Sequence, residues 1–321
     1  MRKYLKQITS GEIYVWTKEL ASRPDMVPFI GSMTEEQDVT TQDIKTIQSD
    51  VVRFHLTAHG LGDAVTGLYA ACGVASAGYK VEFYTKFDAW LKAEHPNLTI
   101  LSGAEGFDAN ANYSNQLREA RLTGVTRPEY YVRNLTRAYG LRSCAPVRPD
   151  IIHTVSAPLS GSYALLAPYS NGSHRMWGTE HYRRVAVGLL KQGKTVVVMT
   201  DLKNSEMTQT MFYGLPVTVA CNLTPEEAIG YVSGADILIC NDSGPAHLGG
   251  LYGKRTLVLL APYTKEYLFH CGENIEAITP VTSCVSCFSQ DNAGWDQVCN
   301  IRCSALQTIR PDEVLLKAIT V

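Results

Sequence analysis

The stretch Ala235–Gly250, ADILICNDSGPAHLGG, constrains this chain more than any other. Ile237 to Cys240 is a short apolar run, suited to a buried strand. Asn241, Asp242, Ser243 and Gly244 then break the run with turn and N-cap chemistry. Pro245 stands where the first helical residue belongs, a position that tolerates a missing N–H. Small residues follow, so the new helix can pack close to its sheet. A strand, a tight turn and a helix N-terminus with free N–H groups attract anions, phosphates above all. An ordinary βα turn of an α/β domain has the same outline. Asp242 and His247 beside the turn favour a functional one.

The rest of the chain supplies a matching rhythm. Val51–Leu56 reads as a strand, followed by the loop Thr57–Gly62 and a small-residue helix from Asp63 to Ala77. Gly78 ends that helix as a C′ glycine would. Lys80–Thr85 and Leu98–Leu101 read as strands, with a short helix at Asp88–Glu94 between them. Glu129–Tyr139 reads as a helix, and Cys144–Ser162, with Pro146, Pro149 and Pro158, as a linker. The rhythm restarts with strand Tyr163–Ala167, helix Thr179–Lys191, strands Thr195–Thr200 and Val217–Ala220, and helix Pro225–Ser233. Strand Thr256–Leu260 and a last helix, Pro311–Ile319, follow the opening stretch. Repeated βαβ units predict parallel sheets covered by helices. The expected organisation is two consecutive Rossmann-like domains, 51–155 and 156–321. Residues 1–50 are expected to be an N-terminal extension, in which Glu12–Trp16 suits a strand. The phrase IYVWTKELASRPDMVPF there resembles openings of some bacteriophage proteins.

Composition narrows the class. A chain of 321 residues, 45% hydrophobic and 19% charged, can bury two cores. Its net charge of −2 argues against a whole-protein polyanion binder, while leaving room for a local patch. No apolar run approaches the roughly 18 residues of a membrane span. The N-terminus has no apolar h-region, so no signal peptide is expected and the chain is assigned to the cytoplasm. That would be bacterial cytoplasm, or the host's if the chain is phage-encoded.

Nine cysteines are many for a reducing compartment, where a cluster points to a metal before disulfides. Four of them, Cys284, Cys287, Cys299 and Cys303, fall in a polar loop over 284–303. Paired short spacings of this kind suit a tetrahedral thiolate site for structural zinc or iron. Scattered reduced thiols are the plainer alternative. Cys72, Cys144, Cys221, Cys240 and Cys271 read as core or near-core residues.

Gly60-Leu61-Gly62-Asp63 follows the first strong strand. Position 65 is Val, so the full dinucleotide fingerprint is absent. Asp63 could cap its helix. It could also face the crevice at the carboxyl end of a strand and serve as a general base. A run of arginines, at 118, 121, 127, 133, 137, 142 and 148, is opposed before Asp150 only by Glu119 and Glu129. Arg133 and Arg137, four residues apart, would share a helix face near Tyr130 and Tyr131. They are either a solvated face or the contact for an anionic acceptor.

Three stretches together resemble glycosyltransferase family 9, the ADP-heptose heptosyltransferases of lipopolysaccharide synthesis. GLGDAVTGLYAACGVASAGYKVEFYT looks like the family's opening βα unit. ADILICNDSGPAHLGGLYGKRTLVLLAPYT looks like its Asp-Ser/Thr-Gly-x-x-His signature. YALLAPYSNGSHRMWGTEHYRRVA resembles its phosphate-contacting loop and Lys-x-Trp helix start, with Arg175 in the basic place. The resemblance implies a GT-B fold and inverting transfer of a heptose or related sugar from a nucleotide-diphosphate sugar, without a catalytic metal. It implies Asp63 as base on the acceptor hydroxyl and Arg175 on the donor phosphates. Gly60, Gly62, Ser243 and Gly244 would approach the donor closely, with Asp242 near its sugar, His247 in the signature and Glu206 on the ribose. A related protein-heptosylating branch with a four-Cys iron site resembles the 284–303 loop. The acceptor could then be lipopolysaccharide core, modified DNA bases as in a phage enzyme, or protein. A nucleotide-sugar epimerase on the same fold and a zinc-ribbon nucleic-acid binder are the competing classes. The second leaves Asp63 and the Asp242–His247 turn unexplained.

Overall fold

The computed structural model describes residues 4–7, 13–15, 26–29, 46–57, 60–110, 125–151, 155–261, 263–269, 274–281 and 304–320. Three strands near the N-terminus, β1 (Tyr4–Gln7), β2 (Ile13–Val15) and β3 (Met26–Phe29), form an antiparallel sheet in the order β2-β1-β3. The strand expected at Glu12–Trp16 is β2, while β1 and β3 carry no alternation that announces them.

The first parallel sheet contains β4 (Val51–His55), β5 (Lys80–Tyr84), β6 (Leu98–Leu101) and β7 (Phe107–Asp108). Helix α1 (Leu61–Ser76) joins β4 to β5. Its positions Ala64–Ala75 are all buried, because sheet, linker and neighbouring helices enclose it. A Cβ on Gly73 would lie 2.1 Å from the Ala145 carbonyl oxygen, so the linker can cross only where that side chain is missing. The helix expected at Asp88–Glu94 is a single 3-10 turn, Asp88–Trp90. Helix α2 runs Arg127–Tyr139, two residues earlier than expected. Thr126 and Glu129 form a capping box around its start, and Gly140 closes it in the left-handed region at φ 62°.

The second sheet contains β8 (Tyr163–Ala167), β9 (Thr195–Thr200), β10 (Thr218–Cys221), β11 (Ile237–Asn241), β12 (Arg255–Leu259) and β13 (Ile275–Ile278). Its helices are α3 (Thr179–Lys191), α4 (Ser205–Met211), α5 (Pro225–Gly234), α6 (Gly244–Leu251), α7 (Lys265–Leu268) and α8 (Pro311–Ile319). Every residue of β8 and β11 is buried, as expected of central parallel strands covered on both faces. Among the described residues, no helix is long and apolar enough to cross a membrane.

Both parallel sheets start at an inner strand and grow outward before the chain jumps back. The first has the order β6-β5-β4-β7, the second β10-β9-β8-β11-β12-β13. Strand order therefore reverses between β4 and β7 and again between β8 and β11. Crevices open at such switch points, outside the carboxyl ends of the strands.

Candidate active site

A cavity of about 1260 Å³ lies at these switch points. The first sheet contributes Thr57, the Gly60–Asp63 turn, Trp90, Asp108, Asn110 and Arg127. The second contributes Tyr169–Asn171, Arg175, Asp201–Asn204, Asn222, Leu223 and the Asp242–Pro245 turn with His247.

Asp63 occupies the third position of α1. Its Oδ2 accepts the Gly60 N–H at 3.0 Å, so it does cap its own helix. Its Oδ1 accepts from Arg127 Nη1 at 2.5 Å. Arg127 begins α2 and is 7% exposed, against 24% for Asp63. The carboxylate is therefore held on two sides while it still lines the cavity.

The Asp242–Gly244 turn is built around Asn241, which is fully buried. Its Oδ1 accepts from the Trp177 backbone N–H at 3.2 Å and from the Tyr182 hydroxyl at 3.1 Å. Its Nδ2 donates to the Pro168 carbonyl at 2.6 Å. One side chain thus fastens both ends of the loop that carries Arg175 to the end of β11. Trp177, itself wholly buried, is anchored in turn by its indole N–H to the Ile309 carbonyl at 3.0 Å. Arg175 Nη1 then reaches Asp242 Oδ2 at 3.3 Å, and Ser170 Oγ donates to the Asp242 carbonyl at 2.7 Å. Ser243 is the extended N-cap of α6, with its hydroxyl turned back onto the Asn241 carbonyl at 3.1 Å. Gly244 is the first helical residue and Pro245 the second, one place later than the sequence suggested.

His247 sits between the two ion pairs. It is 4% exposed and its ring lies 4.7 Å from that of Phe269. Burial lowers its pKa to about 4. The Asp242 carboxylate opposes that shift most strongly and Asp63 less so, while Arg127 and Arg175 reinforce it. The imidazole is accordingly neutral near pH 7.

The site residues expected from sequence separate into two groups. Gly60, Gly62, Asp63, Arg175, Asp242, Ser243, Gly244 and His247 all line the cavity. Glu206 does not: it is exposed in the first turn of α4, where a carboxylate suits the helix dipole, and Asp201, Lys203 and Asn204 line the wall instead. Arg133 and Arg137 are exposed on α2 and do not line the cavity, whereas Arg127 of the same helix does. In the sequence Arg127 is one of seven arginines read together as a patch, with nothing in its own chemistry to single it out. The Thr126-x-x-Glu129 capping box with Pro128 would have placed it at a helix start. Cys284, Cys287, Cys299 and Cys303 lie outside the described residues, as do Arg118, Arg121 and Cys271. Of the remaining cysteines, Cys72 and Cys240 are buried, and Cys144 and Cys221 are half-buried. Among the described residues, no cluster of three His, Cys, Asp or Glu side chains could hold a metal ion.

Comparison with known proteins agrees with this architecture. Residues 144–294 match the model of glycosyltransferase family 9 (heptosyltransferase). No curated protein matches the chain. A glycosyl transferase family 9 structure from Veillonella parvula is similar at 14% identity and a TM-score of 0.61, over 84% of this chain and 96% of that one. The E. coli heptosyltransferase WaaC, solved with ADP-2-deoxy-2-fluoro heptose, is similar at 13% identity and 0.57, over 83% and 98%. The iron-containing dodecameric glycosyltransferase TibC of enterotoxigenic E. coli is similar at 14% identity and 0.59, over 99% of this chain and 92% of that one. At such identities the structural likeness establishes the fold: α/β with parallel sheets, as in the GT-B-like heptosyltransferases.

Proposed function

We propose that this glycosyltransferase, which carries the family 9 domain over residues 144–294, moves a heptose or related sugar from a nucleotide-diphosphate sugar to an acceptor hydroxyl with inversion. One observation carries the proposal. A carboxylate from one sheet and a guanidinium beside a helix N-terminus from the other line the same cavity. The solved structures of WaaC with an ADP-heptose analogue and of TibC with ADP-D-beta-D-heptose favour an ADP-linked heptose as donor.

In this scheme Asp63 removes the acceptor hydroxyl proton as its oxygen bonds to the anomeric carbon. The bond from that carbon to the diphosphate oxygen breaks, and the nucleoside diphosphate leaves with the electron pair. A positioned base contributes on the order of 10²–10⁴ in rate. Arg175 and the α6 N-terminus face the negative charge developing on the leaving group. Asp242, already bonded to Arg175, would hold the donor sugar's hydroxyls. The two domains, 51–155 and 156–321, would then take acceptor and donor respectively.

Arg133 and Arg137 would act beyond the cavity, on an anionic acceptor larger than it, such as phosphorylated lipopolysaccharide core or DNA. A salt-dependent acceptor KM that flattens when both become Ala supports that role. A salt-independent KM favours a protein hydroxyl. The four cysteines at 284–303 would hold a structural zinc or iron ion. Four thiolates close a tetrahedral site, so no catalytic step is assigned to it. The deciding experiment offers a panel of nucleotide sugars with lipopolysaccharide core, protein and hydroxymethylated DNA, and identifies products by mass spectrometry. Transfer to none of them, with donor epimerised or unchanged, overturns the proposal.

A further inference from the structure

The helix that carries the base and the helix that carries the donor turn meet at their N-termini. There each lays a side chain over a glycine of the other. The His247 ring of α6 lies on Gly62 of α1: a Cβ there would come within 2.5 Å of Cδ2 and 2.7 Å of Nε2. The Leu61 side chain of α1 lies on Gly244 of α6, where a Cβ would meet its Cδ2 at 3.1 Å and its Cβ at 3.2 Å. Gly62 immediately precedes Asp63, and Gly244 immediately follows the Asp242-Ser243 turn. The Phe269 ring packs against the imidazole as well, tilted 39° to it at a centroid distance of 4.7 Å.

We infer that the Gly62–His247 and Leu61–Gly244 contacts form a joint that sets the spacing between the Asp63 carboxylate and the Asp242–Gly244 turn. His247, Leu61 and Gly62 are thereby positioning residues for the transfer, acting through the helices they seat. The inference rests on the functional reading above and adds the device that registers its two halves. A Cβ 2.5 Å from the ring has no room, so an added methyl must displace the imidazole or move one helix end relative to the other.

The test is a double-substitution cycle in the full chain with Gly62→Ala, His247→Ala and the pair together. Gly62→Ala should lower kcat by about ten- to a hundredfold, the scale of a roughly 1 Å misplacement. It should leave ADP affinity by calorimetry nearly unchanged, because the donor turn stays intact within its own sheet. Adding His247→Ala should raise kcat above that of Gly62→Ala alone, since the methyl then occupies the vacated space. A role in stability alone would instead lower the melting temperature without this kcat–affinity split. Should Gly62→Ala fail to fold, Gly244→Ala with and without Leu61→Ala poses the same question at the softer contact, read from the recovery of kcat in the pair, since Gly244 belongs to the donor turn itself. Native kcat in the glycine variant, or a double variant no better than the two single effects combined, overturns the joint. Loss of the joint's compensation in a chain that transfers sugar is distinct from absence of transfer in the unsubstituted chain, which overturns the functional reading itself.

Discussion

Arg127 Nη1 lies 2.5 Å from Asp63 Oδ1, joining the first residue of α2 to the first turn of α1 at the cavity wall. The Gly60 N–H binds the other carboxylate oxygen. A group held this way keeps one orientation toward an incoming hydroxyl. Asp63→Ala is expected to lose on the order of 10²–10⁴ of kcat while ADP affinity holds. Arg127→Met is expected to lower kcat in part, with Arg127→Lys recovering some of it. Steady-state kinetics beside calorimetry checks both. Near-native turnover in Asp63→Ala would reduce the residue to its capping role.

His247 makes stability depend on pH. Its pKa falls from 6.5 in the unfolded chain to about 4 in the fold. Between those values the unfolded state binds the proton and the native state does not. Stability is therefore fully present above about pH 6.5 and declines as pH falls toward 4, by up to about 3 kcal/mol from this group. Melting curves from pH 7 to pH 4 should show the decline, and His247→Gln should make it shallower. An identical slope in the variant would assign acid sensitivity to other groups.

The donor phosphates should depend on Arg175 and the turn. Arg175→Ala removes a charge-assisted contact worth roughly 1.5–3 kcal/mol, so ADP should bind at least tenfold more weakly. Ser243→Pro deletes an N–H at the N-cap and should weaken ADP as well. Unchanged affinity in both variants would place the nucleotide elsewhere.

Asn241 should matter to both stability and donor binding. Asn241→Ala leaves the buried Trp177 N–H, Tyr182 hydroxyl and Pro168 carbonyl without their shared partner. Each such group costs about 1–3 kcal/mol. A clear fall in melting temperature together with weaker ADP binding is expected. A drop in only one of the two would separate the core role from the loop-fastening role.

The cysteine loop is tested by elemental analysis. Purified chain should contain close to one zinc or iron, and Cys284→Ser or Cys303→Ser should lower metal content and stability together. A metal-free chain of unchanged stability would leave these residues as ordinary thiols.

Most of the architecture could be read from local chemistry. Apolar runs such as Ile237–Cys240 and Tyr163–Ala167 mark central strands because burial on both faces demands continuous hydrophobicity. Asp63 and Asp242–His247 could be named in advance because turn chemistry at strand ends is encoded within a few residues, whereas Arg175 was implied only by the resemblance to family 9. Asp88–Glu94 was less legible: its helical propensity shrank to one 3-10 turn, where the chain must soon enter β6. The tertiary structure alone decided which arginine joins Asp63. Arg127, Arg133 and Arg137 have the same chemistry, and only the packing of α2 against α1 brings the first to the cavity and leaves the other two exposed. It also decided why Gly62 and Gly244 carry no side chain. Local sequence reports turn geometry and hydrophobic period, whereas the space a Cβ would fill belongs to residues some 180 positions away and exists only after the two sheets have packed.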